Sequence, residues 1–354
     1  MMDVKLKPCY WIYEKGKDIW NKWMKSHTNI SDIESREAGG LTLQQKKKIL
    51  DDIESNCPPE TKIPELNDEI DFKDTCWEEV ANFEGFIFKS QVNFEGAVFK
   101  QSCNFMAADF QHRALFAKAE FHSQSSFVNS KVNMLISFYQ CDFKKDVPFI
   151  NGIETKGIIN FDSAEFPILP EKPQSDETTT EEGFKKLAVD RDIYFKKISN
   201  FKSAYCYLKS SMNERDIHDM EMIFFRKELE ARAKLEKTSN PTKFLIWLYK
   251  VTSNYGDGVA KPFKCLVGTS VVFMLIYSLF PSVYTWVNPL QITLANSIPF
   301  VTPNKLLNIA VIDLSAMNSF ENLMFNTARG IHITLSLIFI FLMGLGLRNK
   351  LRLK

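Results

Sequence analysis

Four consecutive units decide the fold of this chain: NFEGFIFKSQV (residues 82–92), NFEGAVFKQSC (93–103), NFMAADFQHRA (104–114) and LFAKAEFHSQS (115–125). Within them a bulky residue recurs at alternating steps of five and six positions. The spacing extends from Phe72 to Phe149, and only Trp77 and Val132 replace phenylalanine in this run. This regularity accounts for much of the unusual total of 30 Phe among 354 residues.

The spacing of the bulky residues excludes both a regular helix and a flat strand, whose side chains repeat about every 3.6 and 2 residues. A solenoid with four short faces fits, because two 11-residue units then form one coil, and coils stack about 4.8 Å apart. The residue two before each bulky position is usually Ala, Ser or Cys, which leaves room for stacked rings. The predicted core ladder comprises Phe83, Phe88, Phe94, Phe99, Phe105, Phe110, Phe116, Phe121, Phe127, Phe138 and Phe143.

These F-x-x-A-x-F units resemble those of the pentapeptide-repeat proteins over roughly residues 70–166. The resemblance implies a right-handed quadrilateral β-helix. The pattern weakens after Phe149, because Glu154 takes the next bulky position and Phe161 arrives one residue late. We therefore expect a bulge or a distorted last coil there. The stacked phenylalanines are interpreted as core, not as a platform for a cofactor or a base.

The segments around the repeat suggest five regions. They are a helical cap (1–70), the β-helix (71–166), a Pro/Thr/acid-rich linker (167–183), a cytosolic helical region (184–250) and a two-span transmembrane region (251–354).

Helical patterns cover Trp11–Met24 and Leu43–Ser55 in the first region. We favour a cap on the open end of the solenoid, and the alternative is an aromatic, basic helix on a membrane surface. Beyond the linker, Phe184–Met212 and Asp216–Lys237 are predicted to form two antiparallel helices.

Two apolar segments near the C-terminus predict transmembrane helices, at Cys265–Val287 and Ile331–Leu347. Lysines precede the first segment and Arg348, Lys350, Arg352 and Lys354 follow the second, whereas few basic residues lie between them. The positive-inside rule then places both termini in the cytoplasm. We expect a bacterial two-pass protein of the inner membrane.

Tyr255-Gly256 and LGLRNKLRLK (345–354) make the C-terminal half similar to bacterial pentapeptide-repeat membrane proteins with two spans. In those relatives the spans resemble a two-helix ion-channel module. The TVGYG filter of potassium channels is missing between the spans, so potassium selectivity is not expected. The candidate pore-lining residues are Ser270, Ser278, His332, Thr334 and Ser336. The competing interpretation is that these residues only pack the helices together. Because two isolated spans pack poorly alone, we expect a homo-oligomer surrounded by membrane lipid.

The remaining sequence contains no recognised catalytic or cofactor-binding motif. No nucleotide-binding glycine loop, zinc-protease motif or nucleophile elbow is present, so we expect no enzyme activity, no catalytic residues, no cofactor and no metal site. Seven cysteines without a C-x-x-C pair indicate reduced thiols, and the charged N-terminus predicts no cleaved signal peptide. The net charge of +1 gives no reason to expect nucleic acid.

Two functions remain open from the sequence. The first is a membrane-anchored interaction module whose cytosolic β-helix is a scaffold for an unknown protein partner. The second is an oligomeric membrane effector or ion-conducting pore, gated by the β-helix domain and suited to stress or phage defence. A soluble DNA mimic is disfavoured, because residues 72–166 carry 12 acidic and 9 basic residues and apolar spans follow.

Overall fold

The computed structural model describes residues 2–26, 30, 37–38, 40–173, 181–280, 289–298 and 318–352. The chain divides into two compact units, Met1–Leu235 and Glu236–Lys354. The helices are α1 (Pro8–Glu14), α2 (Lys17–Lys25), α3 (Leu43–Asn56), α4 (Glu181–Asn213), α5 (His218–Lys234), α6 (Asn240–Ser253), α7 (Ala260–Tyr277), α8 (Pro289–Ser297) and α9 (Ser319–Arg352), with a 3-10 turn at Val4–Leu6.

The strands are two or three residues long. They are β1 (Met2–Asp3), β2 (Glu37–Ala38), β3 (Leu41–Thr42), β4 (Ile70–Asp71), β5 (Thr75–Trp77), β6 (Ala81–Asn82), β7 (Ile87–Phe88), β8 (Val92–Asn93), β9 (Val98–Phe99), β10 (Cys103–Asn104), β11 (Asp109–Phe110), β12 (Arg113–Leu115), β13 (Glu120–Phe121), β14 (Ser125–Ser126), β15 (Lys131–Val132), β16 (Leu135–Ser137), β17 (Asp142–Phe143), β18 (Glu154–Thr155) and β19 (Ile158–Asn160).

Four parallel sheets form the faces of a β-solenoid of about four turns, which confirms the predicted fold class. Their strand orders are β1-β5-β9-β13-β17, β4-β8-β12-β16-β19, β6-β10-β14 and β7-β11-β15-β18. Phe99 pairs with Phe121 and Phe121 pairs with Phe143. Each of these residues thus lies beside its equivalent two repeat units further along the chain, so two units form one coil, as the spacing predicts.

Stacked phenylalanine rings fill the solenoid. Phe105 lies between Phe83 and Phe127, with ring centroids 4.8 and 5.0 Å away and nearly parallel planes. Phe94 and Phe116 meet the same ring edge-on, at 5.6 and 5.3 Å. Every residue of the sequence-derived core ladder is buried. The core therefore gains both apolar burial and favourable ring geometry.

The last coil contains an inserted residue, and the structure places it earlier than the sequence pattern indicates. Phe121 and Phe143 still pair in the regular register of the repeat. Ser126, however, bridges to Phe149, whereas an uninterrupted repeat would set it beside Pro148. Ile150 consequently takes the buried position and Phe149 is only half-buried. The expectation that Phe149 continues the ladder is wrong, because the insertion precedes that residue.

One corner of each 11-residue repeat unit requires a left-handed backbone conformation. A positive φ angle recurs at the same position of every repeat unit up to the insertion. These angles occur at Asp74, Gly85, Gly96, Ala107, Lys118, Asn129 and Gln140, and then at Gly152 and Ser163. Glycine adopts this conformation without strain, whereas other residues pay a steric cost there.

Replacement of exposed Ala107, whose φ is +54°, by glycine is expected to raise the free energy of unfolding by about 0.5–1 kcal/mol. Thermal unfolding of the full-length protein measures the change. Ala114→Gly is the matched control, because Ala114 is buried within strand β12 and its replacement is expected to destabilise. A lower melting temperature for Ala107→Gly would contradict this account of the corners.

The N-terminal segment covers the open edge of the first coil. Strand β1 pairs with β5 and so extends one sheet. On the next face the Tyr13 hydroxyl accepts a hydrogen bond from Asn82 N at 3.0 Å. On a third face Asn21 Oδ1 accepts from Ile87 N at 2.8 Å, while Trp20 Nε1 donates to Ile87 O at 2.9 Å. Side chains here satisfy the backbone groups that a preceding coil would satisfy.

Helices α4 and α5 cover the other end of the solenoid. The ring of Phe224 lies edge-on to Phe161 and Phe166, with centroids 5.9 and 5.2 Å away, and Tyr205 is also near Phe166. The apolar core consequently continues from the last coil into these helices. The division between the compact units falls after α5, so α6 belongs with the C-terminal helices.

The C-terminal unit contains two helices that are long and apolar enough to cross a membrane. They are α7, with mean hydropathy 1.3, and α9, in which the most apolar stretch of 18 residues within 319–351 has mean hydropathy 2.1. The two helices are antiparallel, because Tyr277 meets His332 at one end and Gly256 meets Asn349 at the other. The sequence predicted the first span to continue to Val287, but residues 281–288 lie outside the described residues.

Candidate functional site

A polar cluster lies inside the C-terminal unit, where α7, α8 and α9 meet. The Tyr277 hydroxyl accepts a hydrogen bond from Asn296 Nδ2 at 3.1 Å and lies 3.1 Å from His332 Nδ1. Ser297 Oγ lies 3.4 Å from the other ring nitrogen of His332. Tyr277, Asn296, Ser297 and His332 are all buried. Each helix thus contributes polar groups to one internal network.

Two further polar contacts extend this network. Ser297 Oγ lies 2.7 Å from Ser270 Oγ, which ties α8 to the middle of α7. Arg329 Nε donates to Asn296 Oδ1 at 3.3 Å, near the end of the cluster. Such bonds hold helices together in an apolar surrounding, where an unsatisfied polar group is costly.

Aromatic rings close the cluster on its sides. The ring of Phe273 is parallel to the His332 imidazole, with centroids 4.6 Å apart. Tyr277 also packs on Phe325, with centroids 5.7 Å apart. Ser336 Oγ and Thr293 Oγ1 are buried beside this core and have no hydrogen-bond partner among the described residues.

The candidate pore-lining residues fall into two groups. His332 and Ser336 are fully buried, and Ser270 is half-buried against α8. Ser278 and Thr334 are exposed on the outer surface of the helices. Their hydroxyls donate to Met274 O and Gly330 O, respectively, one helical turn back. The five residues therefore do not line one common surface.

Sequence reasoning missed Tyr277, Asn296, Ser297 and Arg329 as members of the cluster. Asn296 and Ser297 lie between the predicted spans, in a nine-residue helix that had no separate prediction. The available signal was the charge-free stretch from Cys265 to Asn304, which is too long for a single span. Helix α8 covers nine residues of that stretch.

The outward faces of the two long helices are apolar. On α7, Val271, Val272 and Leu275 are exposed, and on α9, Ile338 and Phe341 are exposed. The hydroxyls of Ser270, Ser278 and Thr334 on these helices each donate to the carbonyl one turn back, an arrangement that is compatible with an apolar environment. Water-facing helices show the opposite arrangement.

A separate groove of about 620 Å³ lies in the N-terminal unit, between the first helices and the first coil. Its aromatic wall is formed by Tyr10, Tyr13 and Trp77, and the rings of Tyr13 and Trp77 are perpendicular with centroids 5.3 Å apart. Its acidic lining residues are Asp3, Glu14, Glu78, Glu79 and Glu84, against two lysines, Lys5 and Lys17. The groove thus combines aromatic rings with an excess of negative charge.

The phenol of Tyr10 lies in the groove near three of its carboxylates. Burial raises the pKa of Tyr10 to about 12, and the neighbouring carboxylates of Glu14, Glu79 and Asp3 act in the same direction. A site with this potential repels a phenolate and attracts a cation. Among the described residues, no group of three His, Cys, Asp or Glu side chains is arranged to hold a metal ion.

Together these features define a β-solenoid joined to a unit with two apolar, span-length helices. Comparison with protein-family models, with curated proteins and with solved structures finds no significant match to this chain.

Proposed function

We propose that this chain is a membrane-anchored protein of the pentapeptide-repeat type, whose solenoid serves as a cytosolic scaffold for a protein partner. The observation that carries the proposal is the arrangement of α7 and α9. Their outward faces are apolar and exposed, while the buried polar cluster joins them to α8. Ser270 and His332 thus already have polar contacts within one chain. This favours an anchor over a pore that these residues would line.

The charge distribution supports a cytosolic solenoid. Lys261 and Lys264 lie at the start of α7, and Arg348 and Lys350 lie near the end of α9. Since the helices are antiparallel, these four cations are at the same end of the pair. The positive-inside rule assigns that end to the cytoplasm. The solenoid precedes this end in the chain and would be on the same side.

The groove beside the first coil is the proposed docking place, and a basic segment of a partner is the proposed occupant. Lysine and arginine side chains are attracted by carboxylates and by the faces of aromatic rings. Glu78 already pairs with Lys100 at 2.6 Å, and the other four carboxylates of the groove still outnumber its two lysines. A rigid solenoid with both ends capped would keep the groove in shape before the partner binds.

A photo-crosslinking amino acid at Val80, which lines the groove and is exposed, is expected to give a discrete adduct with one protein in cells. Met134, exposed elsewhere on the solenoid, is the matched control position and is expected to give none. Charge reversal by Glu14→Lys and Glu79→Lys should abolish the Val80 adduct. Equal adducts at both positions, or an adduct that survives the reversal, would contradict docking in the groove.

A second candidate function, an oligomeric pore regulated by the solenoid, is favoured by the position of α8. This nine-residue helix ends beside Ser270. Because Ser270 lies halfway along α7, α8 reaches the depth at which α7 would cross the middle of the membrane. Short helices that enter a membrane from one side occur in channels, where irregular backbone lines a water-filled cavity.

Current through a planar bilayer tests the pore. Discrete current steps with the purified full-length protein, removed by Ser270→Leu, would favour the second candidate over the anchor. A bilayer without current, with the protein shown to be inserted, would count against the pore. Ser278→Leu is the matched control, because Ser278 lies on the outer surface.

A further inference from the structure

Helix α6 has one buried side and, opposite it, one apolar side that is exposed. Ile246 and Ser253 are buried against the rest of the C-terminal unit. On the opposite side Phe244, Trp247 and Val251 are 58%, 55% and 49% exposed, and Leu248 lies between them. These residues follow the i, i+3, i+4, i+7 spacing that forms one stripe along a helix.

The joint between α6 and α7 fixes this stripe at the basic end of the two long helices. Asn254 ends α6 in the left-handed conformation, and the carbonyl of Gly256 accepts a hydrogen bond from Asn349 Nδ2 of α9 at 3.0 Å. The rings of Tyr249 and Tyr255 also pack together, with centroids 5.8 Å apart. The joint that follows α6 is therefore held by packing with Tyr249 of α6 and by a hydrogen bond from the end of α9.

Basic side chains lie near the start of α6 and on the helix ends next to the joint. Lys243 is next to the stripe on α6, Lys261 and Lys264 begin α7, and Arg348 and Lys350 are near the end of α9. An apolar stripe with an indole ring, bordered by lysines and continuous with a membrane span, has the composition of an interfacial helix. Such a helix buries its apolar face at the boundary between headgroups and acyl chains, while its lysines meet lipid phosphates.

We propose that α6 lies in the headgroup region of an anionic cytoplasmic leaflet, with Phe244, Trp247, Leu248 and Val251 inserted toward the acyl chains. The proposal rests on the proposed membrane anchoring. It adds that the connection between the solenoid and the spans is attached to the lipid surface. A change in the orientation of the spans would then also move the chain segment that connects them to the solenoid.

The test uses the full-length protein in vesicles of phosphatidylcholine and phosphatidylglycerol, with a fluorescent amino acid introduced at position 247. Spin-labelled lipids quench a fluorophore that lies in the bilayer, and iodide quenches one that lies in water. Position 275 on α7 is the positive control, because Leu275 is exposed on the outward face of that span. Position 207 on α4 is the aqueous control, because Tyr207 is exposed in the N-terminal unit.

We expect lipid quenching at position 247 to exceed that at position 207 by about twofold or more, with the strongest effect from shallow spin labels. Lipid quenching at 275 without quenching at 247 would overturn the inference and leave the anchoring intact. Protection of 247 from iodide without lipid quenching would also overturn it, since a protein surface would then cover the stripe. Absence of lipid quenching at both 275 and 247 would overturn the membrane anchoring itself, and the inference with it.

Discussion

Replacement of Phe105 by alanine is expected to lower the free energy of unfolding of the solenoid by about 3–5 kcal/mol. The ring is fully buried, stacks on Phe83 and Phe127 and meets Phe94 and Phe116 edge-on. Alanine would leave a cavity in the middle of four rings that are held by the coils above and below. These neighbours cannot collapse into the space without breaking the strand register.

Chemical unfolding of the full-length protein in detergent, followed by far-ultraviolet circular dichroism, measures this loss. Tyr139→Ala is the matched control, because Tyr139 is an exposed aromatic residue that directly follows buried Phe138 in the same repeat. We expect the control to change the free energy of unfolding by under about 0.5 kcal/mol. A loss for Phe105→Ala as small as that of Tyr139→Ala would show that the phenylalanine columns are not the main source of stability.

Replacement of Gly157 by alanine is the second change with a large expected effect, a loss of about 3 kcal/mol. A Cβ atom at this position would lie 1.8 Å from Met134 O, a backbone atom of the preceding coil. The same carbonyl accepts the hydrogen bond of Ile158 N at 2.9 Å. The chain must therefore separate two coils to make room for the methyl group.

Gly268→Ala provides the comparison for this substitution, because no atom of the described residues outside its own stretch of helix lies within 4 Å of its added Cβ. Gly268 lies within helix α7, so alanine there is expected to be neutral or slightly stabilising. Thermal unfolding of the two full-length variants separates a steric effect from the general effect of adding a methyl group. Equal melting temperatures for Gly157→Ala and the unchanged protein would contradict the packing of the last coil.

The solenoid was predictable because its signal is repetitive. Each repeat unit carries the same inward phenylalanine positions, so every unit adds independent support for the same geometry. The last coil was predicted less well, because the types of residue in this stretch do not show where a single residue is inserted. The phenylalanine at 149 fits the pattern by eye, and only the pairing of Ser126 shows that Ile150 is the inward residue.

The caps and the polar cluster were harder to predict, since they depend on contacts between distant parts of the chain. The side chain of Asn21 satisfies the backbone of Ile87, and nothing in the local sequence around either residue indicates this. Similarly, Tyr277 and His332 are far apart in the sequence and meet only because α7 and α9 are antiparallel. Hydropathy locates the two long apolar helices, but it carries no information on which polar residues face each other.

Alkaline carbonate extraction of membranes from cells that produce the full-length chain tests the membrane anchoring most directly. The unchanged protein is expected to stay in the membrane pellet. A variant with Val271→Asp and Ile338→Asp should move to the supernatant, since each aspartate near a span centre opposes insertion by about 2.5–3.5 kcal/mol. Val189→Asp, on an exposed position of α4, should leave the protein in the pellet. Release of the unchanged protein by carbonate would contradict the account.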